Sequence, residues 1–174
     1  MSKGTHIATM LVAITASSVA ADDHTGTAGY VLAENGTALL SMQDLSDLKS
    51  STKVRLNEAL DAIAFRPVTG DLIGFSRDKV IYTINPDTGE LTNLDARFAE
   101  DAEIGGGAVA FDFNNAIDAV RLVGADGANL VYFPSGFGDE RANHVKRFTD
   151  TFYAGADANA GIEPLVYANA YTNA

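Results

Sequence analysis

The fold of this chain is decided by the stretch Ala64-Phe65-Arg66-Pro67, Asp71-Leu72-Ile73-Gly74-Phe75 and Val80-Ile81-Tyr82-Thr83-Ile84-Asn85-Pro86. A similar stretch follows, with the segments Asp112-Phe113-Asn114, Ala119-Val120-Arg121-Leu122-Val123-Gly124 and Asn129-Leu130-Val131-Tyr132-Phe133-Pro134. Phe65 falls on Phe113 and Pro86 on Pro134, a spacing of 48 residues in both cases. Periods in the forties are typical of propellers and related arrays, in which units of about four strands pack against their neighbours. The sequence therefore predicts an all-β, repeat-built fold.

A partial unit precedes these two and contains an Asn35-Gly36 turn between apolar runs. This dipeptide predicts a β-hairpin, because both residues tolerate a positive φ. The unbroken apolar runs 80–82 and 130–133 predict strands covered on both faces, as in stacked propeller blades, and a two-sheet sandwich is the second alternative. Residues 43–59 predict either a short helix capped by Asp44 or Ser46, or a long loop. The whole is an incomplete β-propeller-like array of about three antiparallel units.

The N-terminus has the pattern of an export signal. Lys3 and His6 precede the apolar run 7–14, and Ser18-Val19-Ala20 supplies the small residues of a cleavage site. A membrane anchor needs about 17–25 apolar residues, and this run is much shorter. We therefore predict a signal peptide over 1–21, a mature domain over 22–174, no membrane span after cleavage, and a periplasmic or extracellular location.

Composition limits the kinds of partner. The chain has no cysteine, which excludes disulfides, thiolate catalysis and cysteine metal sites. Its formal net charge of −11 repels the phosphates of nucleic acids and anionic lipids. We therefore predict no nucleic-acid partner, and an unknown ligand or protein in its place.

Several stretches resemble, in order, those of one bacterial family. They are Phe65–Leu72, Ile81–Gly89, Phe111–Asn114, Asp118–Arg121, Asn129-Leu130, Tyr153–Gly161 and Ala170–Asn173. The family is an exported one catalogued as domain of unknown function number 4394. The resemblance implies a propeller-like repeat domain whose members continue past Tyr171-Thr172-Asn173, so it also implies truncation on the C-terminal side. The sequence departs from the family pattern at Ala64, where Asp is usual, and at Asn115, where Pro is usual. The family brings no established activity.

Four polar residues lie in or beside apolar strands and are candidate ligand-binding residues: Arg66, Asp112, Asn114 and Arg121. A polar group in such a position needs a partner, because its burial without a hydrogen bond is costly. The partner is either a ligand in a central channel or a residue of the adjacent unit. In the second case, Arg66 or Arg121 pairs with Asp112 or Asp118, and Asn114 caps a turn.

Asp157 and Asn159 are candidate calcium ligands, because oxygen donors at alternate positions followed by Gly161 resemble the start of a calcium loop. The alternative is a turn in which both side chains bond to nearby backbone N–H groups. No other cofactor is predicted.

Catalytic motifs are scarce. His144 lies in a polar stretch that predicts a solvated loop, and no serine occupies a Gly-x-Ser-x-Gly turn. Glu100, Asp101 and Glu103 crowd one loop, where crowding could raise a carboxyl pKa. The sequence favours an exported, non-catalytic binding or interaction module. The alternative is a propeller hydrolase or lyase whose site is completed by missing repeats. Open sheet edges and bare apolar faces also predict self-association.

Overall fold

The computed structural model describes residues 27–134 and 140–172. The predicted signal peptide, residues 1–21, lies outside this part. The described residues form twelve strands: β1 Gly29–Ala33, β2 Ala38–Met42, β3 Thr52–Arg55, β4 Ala62–Arg66, β5 Asp71–Ser76, β6 Val80–Ile84, β7 Leu91–Asn93, β8 Arg97–Phe98, β9 Val109–Asn114, β10 Ala119–Gly124, β11 Asn129–Phe133 and β12 His144–Phe148. Two short 3₁₀ helices, Glu34–Gly36 and Leu48–Ser50, complete the regular structure of this part. No helix in the described ranges has the length and apolarity needed to cross a membrane.

The strands form three separate sheets, and the all-β prediction is confirmed. Sheet 1 has the order β1-β2-β3, sheet 2 the order β4-β5-β6-β7, and sheet 3 the order β8-β12-β11-β10-β9. Neighbouring strands are antiparallel, except that the two-residue strand β8 runs parallel to β12. None of the three sheets closes on itself, so each presents two edges and two faces.

The sheets stack in chain order. Alternation along β4 directs Ala62 and Ala64 into one apolar cluster and Ile63 into another. The first cluster joins sheets 2 and 3, and its largest members are Ile73, Phe75, Ile81, Phe111, Phe113, Leu122, Leu130 and Tyr132. The second joins sheets 1 and 2 and contains Leu39, Leu56, Leu60, Ile63, Leu72 and Ile84. Sheet 2 is therefore covered on both faces, whereas sheets 1 and 3 each have an outer face that no described sheet covers.

The Asn35-Gly36 hairpin is confirmed. Ala33 and Ala38 are paired across it, and both turn residues have positive φ, 56° at Asn35 and 84° at Gly36. The turn also contacts the chain that enters sheet 2, because the N–H of Leu60 donates to the carbonyl of Gly36 at 3.0 Å. A Cβ atom on Gly36 would lie 2.0 Å from the carbonyl oxygen of Leu60. Only glycine fits this contact between sheets 1 and 2.

Two local predictions were wrong in part. Residues 43–59 contain strand β3, which the sequence did not reveal because Thr52, Lys53 and Arg55 are exposed and only Val54 faces the core. The 3₁₀ helix in this stretch is capped by Asp47, whose carboxylate accepts from the N–H of Lys49 at 3.2 Å, rather than by Asp44 or Ser46.

The two apolar runs predicted strands that are covered on both faces, and this is correct for one strand and wrong for the other. Residues 130–133 of β11 are all buried, as predicted for a strand covered on both faces. In β6 only Ile81 and Ile84 are buried, and the rest of the strand is half-buried. Strand β6 is less buried because its neighbour on one side is β7, an edge strand of only three residues.

Candidate binding surface

Arg66 forms an ion pair between two sheets. It lies at the end of β4, and its Nε donates to Oδ1 of Asp118 at 2.8 Å while Nη2 donates to Oδ2. Asp118 belongs to the turn between β9 and β10, so the pair connects sheet 2 to sheet 3. The side chains are only 12% and 18% exposed. This geometry is that of a tie between units, the alternative to a ligand-binding role for Arg66.

The other three candidates lie on sheet 3. The side chain of Asn114 accepts from the N–H of Ala116 at 3.1 Å and so caps the β9–β10 turn. Arg121 is exposed, and it pairs with Asp112 across β9 and β10. Both belong to the face of sheet 3 that points away from sheet 2, which we call the outer face of sheet 3. The structure therefore brings Asp112 and Arg121 together and separates them from Arg66.

Asp112 has a perturbed environment. It is half-buried, and its Oδ2 accepts from the N–H of Tyr171 at 2.7 Å. Burial raises the pKa of Asp112 above its ordinary value, and the backbone hydrogen bonds from Tyr171 and Phe113 oppose that rise in part. This carboxyl is thus the point at which the end of the chain is attached to β9.

Residues 149–172, which we call the C-terminal segment, contain no helix or strand and cross the outer face of sheet 3. At one end the N–H of Thr151 donates to the carbonyl of Gly127, at 2.9 Å. At the other end, Nδ2 of Asn169 donates to the carbonyl of Arg121 at 3.4 Å, and Tyr171 contacts Asp112. The segment therefore runs from the β10–β11 turn to β9, an edge strand of the sheet.

The C-terminal segment and the residue before it carry most of the large apolar side chains that are exposed in the described part of the chain. They are Phe148, Phe152, Tyr153, Ile162, Leu165 and Tyr167. Only Leu48, Val68 and Ile117 are exposed elsewhere among the described residues, and they lie in separate parts of the sequence. Concentrated exposed apolar surface marks interaction sites in soluble proteins. We call this set the C-terminal surface.

The charge of the C-terminal segment is entirely acidic. It contains Asp150, Asp157 and Glu163, and no lysine, arginine or histidine. Asp150 is paired with Arg147 of β12, at 2.8 Å between Oδ2 and Nη2. Asp157 and Glu163 are exposed, so the C-terminal surface combines apolar side chains with two accessible carboxylates.

Asp157 and Asn159 form the hydrogen-bonded turn that was predicted as the alternative to a calcium site. Oδ1 of Asp157 accepts from the backbone N–H of Asn159 at 2.8 Å and from its Nδ2 at 3.2 Å. Within the described ranges, no three acidic or histidine side chains are grouped as metal ligands. Calcium binding stays a prediction, and calorimetry at millimolar calcium tests it: heat of binding would support it, and the absence of both heat and a thermal shift would contradict it.

The predicted loop around His144 is a strand start instead. His144 opens β12, pairs with Arg97 of β8, and has its Nδ1 2.7 Å from the carbonyl of Ala142.

In the acidic loop that contains Glu100, Asp101 and Glu103, the carboxylate of Glu103 forms an ion pair with Lys79, at 3.1 Å between Oε1 and Nζ.

Two arginines that sequence reasoning missed hold the loop of residues 99–108 between β8 and β9, which we call the connector. Arg77 donates to the carbonyls of Gly105, at 2.9 Å, and Gly107, and it pairs with Asp61. Arg147 donates to the carbonyls of Asp101 and Glu103, at 3.3 and 3.0 Å. One signal was available for the first: Asp61 precedes β4 and Arg77 follows β5, and because Ala62 is paired with Phe75 in this hairpin, both residues lie at its open end.

A cavity of about 230 Å³ lies under this connector. Its lining residues are Phe75, Arg77, Lys79, Phe98, Ala102, Glu103, Ile104 and Leu130. The cations at its rim are already engaged, since Arg77 binds Asp61 and Lys79 binds Glu103. The cavity is therefore a weaker candidate site than the C-terminal surface.

Three stacked antiparallel sheets and an outer segment with exposed apolar side chains define the class, an all-β domain. The chain belongs to the DUF4394 family, described as a domain of unknown function, whose sequence profile matches residues 36–174. The match includes the C-terminal segment, so this segment is part of the family domain. No curated protein matches the sequence.

The carboxyl of Asp112 gives a pH-dependent prediction. Because the folded-state pKa is raised, the folded protein binds this proton more tightly than the unfolded chain does, and stability falls as pH rises from 3.8 through the raised value. Asp112→Asn keeps an acceptor for the N–H of Tyr171 and removes the charge. We expect the variant to be more stable than the parent at pH 7 in urea unfolding, with the advantage lost at about pH 3. An advantage that grows towards low pH would contradict the assignment.

Proposed function

We propose that this chain is an exported, non-catalytic binding or interaction module that engages its partner through the C-terminal surface. The observation that carries the proposal is the concentration of exposed Phe152, Leu165 and Tyr167, which are 70%, 66% and 63% exposed. Burial of such side chains against a partner is favourable by about 1.5–3 kcal/mol each. A periplasmic or extracellular location is part of the proposal and rests on the signal pattern of residues 1–21.

The architecture we propose for this module is an incomplete, propeller-like array. Contacts between β1 and β4, and between β4 and β9, support it, because they join an edge strand of each sheet to an edge strand of the next. In a propeller, the inner edge strands of successive blades are likewise neighbours around the central channel.

A capture experiment tests the interaction proposal. The parent chain, a Leu165→Asp/Tyr167→Asp variant and a Val68→Asp control are used as baits in an envelope extract. Val68 is a matched control because it is equally exposed, at 64%, but lies in the β4–β5 turn. We expect the parent and the control to retain the same protein, and the double variant to lose it by tenfold or more. Equal retention by all three baits would refute the proposal.

A second candidate function is a hydrolase or lyase, and the observation that favours it is Asp112. A half-buried carboxyl with a raised pKa is a candidate general acid. Turnover of lactones, glycosides or esters by the parent chain, abolished in Asp112→Ala, would replace the interaction proposal. Activity that survives in Asp112→Ala would exclude this residue.

A further inference from the structure

We propose that sheet 1 accepts a strand from a partner polypeptide along the edge of β1, in the place that β4 and β9 occupy in sheets 2 and 3. The added strand runs antiparallel to β1 and turns apolar side chains towards sheet 2. In strand addition of this kind, backbone hydrogen bonds supply affinity and alternate side chains supply specificity. The site is separate from the C-terminal surface, so it does not depend on the function proposed above.

Sheet 1 has one strand fewer than the antiparallel meanders of the other two sheets. Sheet 2 is β4-β5-β6-β7 and sheet 3 contains β9-β10-β11-β12, whereas sheet 1 is β1-β2-β3. The first strands of the two longer meanders, β4 and β9, lie at sheet edges and contact each other. The direction of β1 decides whether the first or the last of the four strands has no counterpart in sheet 1.

The direction of β1 shows that it corresponds to a second strand. The N–H groups of the adjacent residues Leu60 and Asp61 donate to the carbonyls of Gly36, at 3.0 Å, and Phe75, at 2.8 Å. Gly36 lies in the turn after β1 and Phe75 lies near the end of β5, so both strands run towards the same end of the stack. Strand β4 runs the opposite way, because it is antiparallel to β5. Among the described residues, sheet 1 therefore has no counterpart of the first strands β4 and β9.

The edge of β1 carries backbone groups that point away from β2. In an extended strand, successive N–H and C=O groups point alternately to its two sides. The carbonyl of Thr27 accepts from the N–H of Leu45, at 2.8 Å, on the side of β2. By this alternation Val31 also faces β2, and the backbone groups of Tyr30 and Leu32 face the open side. Such an edge is a template for pairing with another strand.

The side chains beside this edge are covered less well than an equivalent position in sheet 3. Phe65 of β4 and Phe113 of β9 are 48 residues apart in the repeat. Phe113, in the cluster between sheets 2 and 3, is 2% exposed, whereas Phe65, in the cluster between sheets 1 and 2, is half-buried. Tyr30 and Leu32 of β1 face the same cluster as Phe65 and are also half-buried. A strand beside β1 would bury all three side chains further.

The sequence before β1 does not suit this place. In the other two sheets, the first strand ends five positions before the second strand begins. The same spacing before Gly29 places the end of a first strand at His24. Residues 20–24 read Ala-Ala-Asp-Asp-His, overlap the predicted signal peptide and contain no large apolar side chain. The occupant we propose is therefore a segment of a partner, and the net charge of −11 favours one that is neutral or basic.

Hydrogen exchange of the full chain, measured by NMR, tests whether the edge is open. We expect the amides of Tyr30 and Leu32 to exchange at least about tenfold faster than that of Val31, which faces β2. Protection of Tyr30 and Leu32 equal to that of Val31 in the chain alone would overturn the inference, because the edge would then already be paired.

Peptide binding tests the pairing itself. The probes are two synthetic peptides with the sequences of residues 61–67 and 108–115, which contain the first strands β4 and β9. We expect at least one of them to bind the full chain and to slow exchange at Tyr30 and Leu32 by about tenfold. Two further versions of each peptide carry N-methyl groups on alternate backbone nitrogens, at even or at odd positions. One version should bind about tenfold more weakly and the other nearly as well as the parent peptide, because only alternate N–H groups face β1.

Failure of both peptides to bind, or the same effect from both methylated versions, would overturn the inference. Phe65→Ala should weaken peptide binding by about tenfold, whereas Val68→Asp in the adjacent β4–β5 turn should not. Binding that is unchanged in Phe65→Ala would contradict the site, and the methylated peptides test the pairing without any change to the protein. The variant Leu165→Asp/Tyr167→Asp should bind the peptides as the parent does, so this site and the C-terminal surface can fail separately.

Discussion

Asp118→Asn is expected to destabilise the domain by about 3 kcal/mol, because it removes the negative charge from a largely buried ion pair with Arg66. Asn is a better replacement than Ala at this position, because Asp118 has φ of 45°, a left-handed conformation that Asn tolerates better than Ala does. The substitution therefore tests the charge and leaves the turn intact. We expect a fall in melting temperature of about 10 °C.

A double-mutant cycle measures the coupling of this pair. Arg66→Met alone should also destabilise, whereas Arg66→Met/Asp118→Asn should recover much of the loss, because no unpaired buried charge remains. The control is Glu34→Gln, which breaks the exposed pair with Lys53 and should change stability little. Additive losses at Arg66 and Asp118 would show that the pair does not act as a tie between sheets 2 and 3.

Gly36→Ala is expected to cost about 3 kcal/mol, the sum of two effects. A left-handed conformation costs an alanine about 1–2 kcal/mol, and crowding in a packed site costs a similar amount. Here the new Cβ would lie 2.0 Å from the carbonyl oxygen of Leu60, so the turn would have to move away from sheet 2. The hydrogen bond from the N–H of Leu60 to Gly36 would then weaken.

Gly70→Ala is the matched control, because Gly70 has φ of 79° and no atom within 4 Å of its would-be Cβ. It should therefore cost only the conformational part, about 1–2 kcal/mol, in the same denaturant titration. Equal losses at the two glycines would mean that the close contact between the first hairpin and Leu60 is unimportant. The difference between them estimates the contribution of that contact.

Local chemistry explains why much of the fold was predictable. The Asn35-Gly36 hairpin, strands β4 to β6 and strands β9 to β11 follow from turn residues and apolar runs that lie within a few residues of each other. Strand β3 was missed, because an edge strand with three exposed side chains has no apolar pattern and is defined by its hydrogen bonds to β2. Strand β12 was missed for a similar reason, since of its residues only Val145 is buried.

The candidate site was less predictable. Asp112 and Arg121 were selected as polar residues in apolar strands, but nothing near them in sequence indicates that Tyr171 contacts Asp112. Likewise, the exposed state of Leu165 and Tyr167 depends on how the C-terminal segment lies across sheet 3. An apolar residue in a sequence predicts burial, and only the arrangement of the sheets shows that these are left outside.

The sequence by itself determined the all-β class, the position of the first hairpin and the membership of the family, because each depends on residue types at short spacing. The tertiary structure alone decided that Arg66 pairs with Asp118, that Arg77 and Arg147 hold the connector, and that the C-terminal segment crosses sheet 3 with its apolar side chains exposed. These contacts join residues that are distant along the chain. Their geometry is set by the stacking of the sheets, since each sheet must bury the apolar face that its neighbour presents.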